Sequence, residues 1–242
     1  MRTRKLLLSL SGVAALVALW SLAVALHRTT ILPGPFKVLA GVVDLARRGL
    51  LVRHVVASLF RVTWGYVLAV VVGIPVGLCL GWWRRAHRAV DPFLQILRPI
   101  SPLAWIPISI LWFGVGDRAA VFIIFLGAVL PIIVSATNAV AAVPSVHLRA
   151  ARNFGLSSRE VLVRVIFPSV LPQLIVGMRL ALGVAWLVVV AAEMIAVSSG
   201  LGFLIVDARN AGNRYDLVVA GMVLIGVIGL CLDAGMRRLE RA

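Results

Sequence analysis

Six apolar stretches run through this 242-residue sequence, and they constrain its fold more than any other feature. They are Leu6–Leu26, Val62–Trp83, Ile100–Gly114, Ala119–Val143, Leu171–Val197 and Leu217–Ala234. A helix crossing a bilayer needs about 20 mostly apolar residues, and only helices and closed barrels satisfy their backbone there. The third stretch is the shortest and carries Pro102 and Pro107; the fourth is expected to break at Pro131. Hydrophobic residues make up 62% of the chain and charged ones 14%. A soluble domain of this size cannot wet such a surface. That excludes a soluble enzyme, a secreted disulfide module and a disordered tail. The expected fold is an all-α polytopic bundle of about six spans.

The charge is strongly basic, with 24 Lys+Arg against 9 Asp+Glu and a net of +15. In a soluble chain this would suggest nucleic acid. Here the basic residues fall mostly between apolar stretches, so they report orientation and anionic headgroups instead, and no nucleic-acid role is expected. With the N-terminus inside, fourteen basic residues lie on inside segments and nine on outside ones, with Arg179 left within a span. Both termini are therefore expected to be cytoplasmic. Arg61 counts among the outside charges. Leu6–Leu26 could also be read as a signal peptide, with a basic start and Ala23-Val24-Ala25, but its apolar run exceeds the usual h-region, which favours an uncleaved span.

These features divide the chain into an N-terminal span and flank (1–31), an extracytoplasmic amphipathic segment (32–60), a five-helix core (61–236) and a short tail (237–242). Within the second segment Val38, Leu39, Val42, Val43 and Ala46 share one helical face, which suits a helix on the membrane surface or one packed on the bundle. Cys79 and Cys231 form no disulfide framework or metal pair and are expected as small buried hydrophobes.

Inside the spans, Gly73, Gly77 and Gly81 recur every four residues, with Gly65 two turns earlier, so all four face one neighbour and permit close helix packing. Glu193 is a membrane-level carboxylate. Such groups are costly, and they either pair with a polar partner or serve a pathway or gate. Arg179 lies 14 residues earlier, about 21 Å along the helix, too far to pair with it. Arg179 is read as snorkelling to headgroups or lining the pathway, and Asp233 with Arg237 as an i,i+4 pair.

The segment 144–168 joins the fourth and fifth spans on the inside. Ser145 is placed to cap a short helix ending near Phe154, Gly155 suits the left-handed residue past its end, and Ser157-x-x-Glu160 forms a capping box opening a second helix. Pro168 marks the end of that helix or a kink. The element is a plain connector, a DNA-binding helix–turn–helix, or a docking element for a cytoplasmic partner. Tethering to the membrane at both ends argues against DNA.

At Arg149-Ala150-Ala151, Gly155 and Val165-Ile166-Phe167-Pro168 the sequence resembles permease subunits of ATP-binding-cassette importers, whose pattern is Glu-Ala-Ala, three residues, Gly, nine residues, Ile-x-Leu-Pro. Ser58-Leu59-x-Arg61-x-x-x-Gly65, Leu97-Arg98-Pro99-Ile100, Trp112-Phe113-Gly114-x-Gly116, Gly177-x-Arg179 and Ala191-Ala192-Glu193-Met194 are similar to the nitrate/sulfonate/taurine branch. The resemblance implies a type I importer fold with a cytoplasmic coupling helix, in which Arg149, Ala150, Ala151, Arg152, Gly155 and Leu156 dock an ATPase. It implies a bacterial inner-membrane location, a second permease copy, two ATPase subunits and an external solute-binding protein. It also implies a small anionic solute, or in related members other small organic molecules such as vitamin precursors. The family's Glu stands here as Arg149, a reversal of charge.

The sequence has no G-x-x-x-x-G-K-[ST], H-E-x-x-H or G-x-S-x-G. This chain is therefore expected to bind no cofactor or metal, and ATP and Mg would be used by the partner ATPase. A gradient-driven carrier or channel would normally show intramembrane acids or inverted repeats, and a membrane enzyme would need clustered His, Asp or Glu in its spans.

Overall fold

The computed structural model describes residues 2–27, 32–210 and 212–241, with side chains from Ser11 to Glu240 within those ranges. Every regular element among the described residues is helical. The helices are α1 (Arg2–His27), α2 (Pro35–Arg47), α3 (Leu50–Trp82), α4 (Arg84–Leu97), α5 (Ile106–Phe113), α6 (Asp117–Ala141), α7 (Ser145–Asn153), α8 (Ser158–Glu160), α9 (Phe167–Ala196), α10 (Leu201–Asn210) and α11 (Tyr215–Arg241). A 3₁₀ turn, Pro102–Trp105, precedes α5, and a π-helical turn, Val161–Ile166, joins α8 to α9.

Four helices are long and apolar enough to cross a membrane: α3, α6, the continuous α8–α9 rod and α11; α4 and α5 together make a fifth, bent candidate. α6 is the axis. More than half of its most apolar stretch is buried (56%), against 11% for α11, which forms the rim. α3 and α9 flank α6, and α10 and α11 close over α9. The core is built from small and β-branched residues such as Ala69, Ala120, Ile124, Ala128, Ile132, Ala185 and Val189, so the helix axes approach closely. The side chains of the first five residues of the expected N-terminal span, 6–10, lie outside those described; Ser11–Leu26 is an apolar helical stretch of α1, which touches α2.

The structure departs from the sequence expectations in several places. α3 starts at Leu50, not Val62, so residues 50–61 extend the span. Pro131 does not break α6, which runs unbroken past it. A proline frees the carbonyl four residues back, and neighbouring helices tolerate this inside a bundle. The third span is instead a broken element in which α4 meets the Pro102–Phe113 segment at 85°. The break follows from local chemistry: Ser101, before Pro102, takes ψ 132°, the extended conformation that a following proline imposes. On α2 the buried residues are Val38, Gly41 and Leu45, while Leu39 and Val43 are exposed. The seam is turned because Gly41, which has no side chain, lets α2 sit against Asp216 and Leu217 of α11. Cys79 and Cys231 are exposed on the outer faces of their helices, not buried.

Candidate functional site

The connection between α6 and α9 is made by local signals. Pro144, with φ −60° and ψ 133°, is the residue before α7, so Ser145 is the first helical residue, not the cap; its hydroxyl accepts from Arg149 Nη2 at 3.2 Å. α7 ends in a Schellman arrangement: Gly155 N–H donates to Arg152 O at 2.9 Å and Leu156 N–H to Ala151 O at 3.2 Å. Gly155 has φ +77°, a conformation any Cβ would strain. Ser157 then closes the capping box, its hydroxyl accepting from the Glu160 backbone N–H while the Glu160 carboxylate accepts from Ser157 N–H at 3.0 Å.

Pro168 ends nothing. It sits in the first turn of α9, and α8, the π turn and α9 form one rod that carries the connection straight into the bundle. Ala151 and Leu156 pack with Val161, Ile166, Val170 and Leu174 against Ala136 and Val140 of α6. Arg149, Ala150, Arg152 and Gly155 face outward. Phe154, which the sequence reading did not single out, is 83% exposed at the tip, and Val146 is exposed in the first turn of α7. An aromatic at a helix end before a left-handed glycine is its only sequence cue.

The opposite end of the bundle holds a buried ion pair. Arg61 Nη1 donates to Glu193 Oε1 at 2.7 Å, and the side chains are 3% and 0% exposed. Arg61 also donates through Nε to Asp117 Oδ1 at 2.8 Å and through Nη1 and Nη2 to the carbonyl and hydroxyl of Ser199, each at 2.6 Å. The second Glu193 oxygen accepts from Ser58 Oγ at 2.9 Å and Gly202 N–H at 3.0 Å. Ser58 Oγ accepts from Leu201 N–H, and His54 Nδ1 from Gly200 N–H at 3.0 Å. This set ties α3, the start of α6, the end of α9 and the start of α10 together. Gly200, at φ +110°, is required there, because a Cβ would fall 2.3 Å from the Glu193 carboxyl carbon. Arg61 is thus a buried partner, not the surface charge expected.

Arg179 reaches across from α9 to α11, donating through Nε to Asp233 at 2.6 Å and through Nη1 to Glu240 at 3.0 Å; Asp233 also pairs with Arg237. Gly65, Gly73, Gly77 and Gly81 all face α6. A Cβ on Gly77 would lie 2.5 Å from Ala136 Cβ, and one on Gly81 2.5 Å from Val140 Cβ. Thr137 of α6 donates to the Gly77 carbonyl at 3.2 Å. A cavity of about 650 Å³ opens between the α4–α5 bend, α6 and α9. Among the described residues no group of three or more His, Cys, Asp or Glu is placed to hold a metal ion.

The bundle thus carries a helical connection at one end and a buried ion pair at the other. Comparison with known proteins gives the family. The model of the binding-protein-dependent transport system inner membrane components matches residues 69–242. The chain belongs to this family. A putative ABC transporter permease protein of Methanocaldococcus jannaschii is 38% identical over 244 residues, covering 98% of this chain and 91% of the relative. The taurine transport system permease protein of Escherichia coli is 36% identical over 248 residues, covering 99% of this chain and 89% of the relative. A solved structure of the MetNI methionine ABC transporter in an inward-facing conformation superposes with a TM-score of 0.71, at 23% identity, covering 81% of this chain and 97% of that one.

The chain is an ABC importer permease, a transporter subunit and not an enzyme, from an inner-membrane family whose members work with an ATPase and a solute-binding protein. In this permease two groups of the residues of the resemblance lie at opposite ends of the bundle. Arg149, Ala150, Arg152 and Gly155 are outward on the connection between α6 and α9, and Ala151 and Leu156 anchor it. Arg61 and Glu193 lie at the far end, bonded to each other.

Proposed function

We propose that this permease is one half of a homodimeric pathway that imports a small anion of the sulfonate, taurine or nitrate class. Two copies dock two ATPase subunits through residues 145–160, both termini are cytoplasmic, and the solute-binding protein delivers at the Glu193 end. The permease itself holds no cofactor; ATP and Mg belong to the ATPase. Arg149, Ala150, Arg152 and Gly155 meet the ATPase, with Phe154 as an aromatic anchor of the kind that dominates interface energetics. The observation that carries this reading is the unbroken α8–π–α9 rod beside α7: a push on the connection is delivered directly to a spanning helix. The Arg61–Glu193 latch gates the delivery end by holding α3, α6, α9 and α10 as one body.

The direction of transport follows from unequal solute affinity in two alternating states, with ATP binding and hydrolysis shifting their populations. The relative named for taurine supports the anion class. The test is purification of the tagged permease from its native membrane. An ATPase of the P-loop type should co-purify, and recovery of the permease alone, with its own uptake intact, would refute the docking role.

A further inference from the structure

The docking element and the latch leave the interior unaccounted for. The 650 Å³ chamber is walled by Leu97, Ile100 and Trp105 from the broken span, by Leu130 and Val134 of α6 and by Val184 of α9. Among the described residues Arg98 is the one charged side chain that lines it. A smaller hollow of about 130 Å³ shares Arg98 and Val134 with the chamber and is lined by His87, Asp91, Gln95 and Asn138. A third, of about 830 Å³, shares His87 and Asn138 with that hollow and reaches Ser145, Leu148 and Arg152 at α7. The three spaces follow one face of α6, from the interior of the bundle to the connection. Val134 lies seven residues, about 10 Å, from the α7 end of α6.

Arg98 stands where the apolar chamber meets the polar hollow, at the break between α4 and the 3₁₀ turn. Breaks in spanning helices are where transporters place substrate sites. Among the described residues Arg98 has no ion pair or side-chain hydrogen bond, unlike Arg61, Arg179 and Arg214. The carboxylate nearest in lining, Asp91, is bonded to Gln95 Nε2 at 2.6 Å. In the same hollow, His87 Nδ1 is buried with no hydrogen-bond partner. Arg98 is exposed to the space where chamber and hollow meet, and a bound anion would supply the charge partner that its guanidinium lacks there.

We propose that Arg98 forms an anion-binding neck in this pathway, with His87 completing its polar side, and that its ligand is a small oxyanion whose apolar part lies in the chamber. Guanidinium presents a fork of N–H donors that matches the oxygens of a sulfonate, nitrate or carboxylate. The chamber volume suits a small organic anion better than a bare inorganic ion. This rests on the import of anions proposed above and assigns the residue that recognises them.

The test uses the full chain in a nonionic detergent, without the ATPase, so loss of coupling does not affect it and its failure leaves the docking reading standing. Cys79 and Cys231 are replaced by Ala, and Val134→Cys places a thiol at the neck. The thiol is labelled with a sulfonate-bearing and with a trimethylammonium-bearing methanethiosulfonate. The sulfonate reagent should react faster by roughly five- to tenfold. Arg98→Gln should abolish the preference and Asp91→Asn should increase it, and methanesulfonate should slow labelling only when Arg98 is present. Leu126→Cys, in the chamber wall, repeats the measurement should the first variant not fold. A preference unchanged by Arg98→Gln, no labelling by either reagent, or protection by added phosphatidylglycerol but not by methanesulfonate would each overturn the proposal. The last outcome would make the neck a lipid headgroup site.

Discussion

Arg61 of α3 and Glu193 of α9 meet at 2.7 Å with their charges fully enclosed, 132 residues apart in the chain. Both carboxylate oxygens and all three guanidinium nitrogens have partners, so the pair is satisfied despite its burial. Its removal by halves leaves a buried charge without its enclosed counter-ion: Arg61 would keep only the half-exposed Asp117, and Glu193 only neutral donors. Glu193→Ala is expected to cost about 3–5 kcal/mol of stability. The double change Arg61→Met with Glu193→Leu should recover part of the loss, because burying neither charge removes the penalty. Heat challenge followed by size-exclusion in detergent reads both.

The seam between α3 and α6 gives a second contrast. Gly77→Val places a branched side chain where even a Cβ would lie 2.5 Å from Ala136 and 2.7 Å from the Ile133 carbonyl. It should lower the melting temperature sharply. Gly226→Ala, on a helix face with nothing within 4 Å, should be neutral or stabilise by up to about 1 kcal/mol. Equal effects of the two would contradict the close approach of the helices.

Gly155 separates backbone from side chain. At φ +77° a β-branched residue is strained, while asparagine tolerates the left-handed region. Gly155→Val is therefore expected to insert normally yet lose ATP-dependent uptake, and Gly155→Asn to retain much of it. Uptake into membrane vesicles, normalised to permease content, distinguishes them.

Phe154 and Arg149 test the docking face. Phe154→Ala removes an 83% exposed aromatic and should weaken ATPase retention by roughly tenfold or more, with no change in permease stability. Arg149→Glu restores the family's sign. Facing an acid on the partner ATPase, it should lose co-purified ATPase at low ionic strength, and raised salt should screen that difference away.

The parts of the molecule legible in the sequence are those written in consecutive residues. Gly155, Ser157 and Glu160 announce the turn and the capping box because caps are satisfied within three or four positions. The four glycines of α3 announce a close neighbour because a helix repeats its faces. Partners are different. Nothing local says that Arg61 reaches Glu193, since the pair forms only once α3 and α9 are packed. The same holds for Arg179 with Asp233 and Glu240. The rotation of α2 was hidden because its seam is centred on Gly41, a residue that hydropathy does not mark as apolar. The bend at residues 98–101 was signalled by Pro99 and Pro102, but a proline pair fixes a break and not its angle. Pro131 shows the converse, a breaker overruled by the bundle around it.

Proteoliposomes containing this permease, with the ATPase, Mg-ATP and the solute-binding protein added in turn, test the central claim. Solute should accumulate against its gradient only when all are present, and the permease alone should concentrate nothing. Uphill uptake by the permease alone would contradict a subunit driven from outside itself.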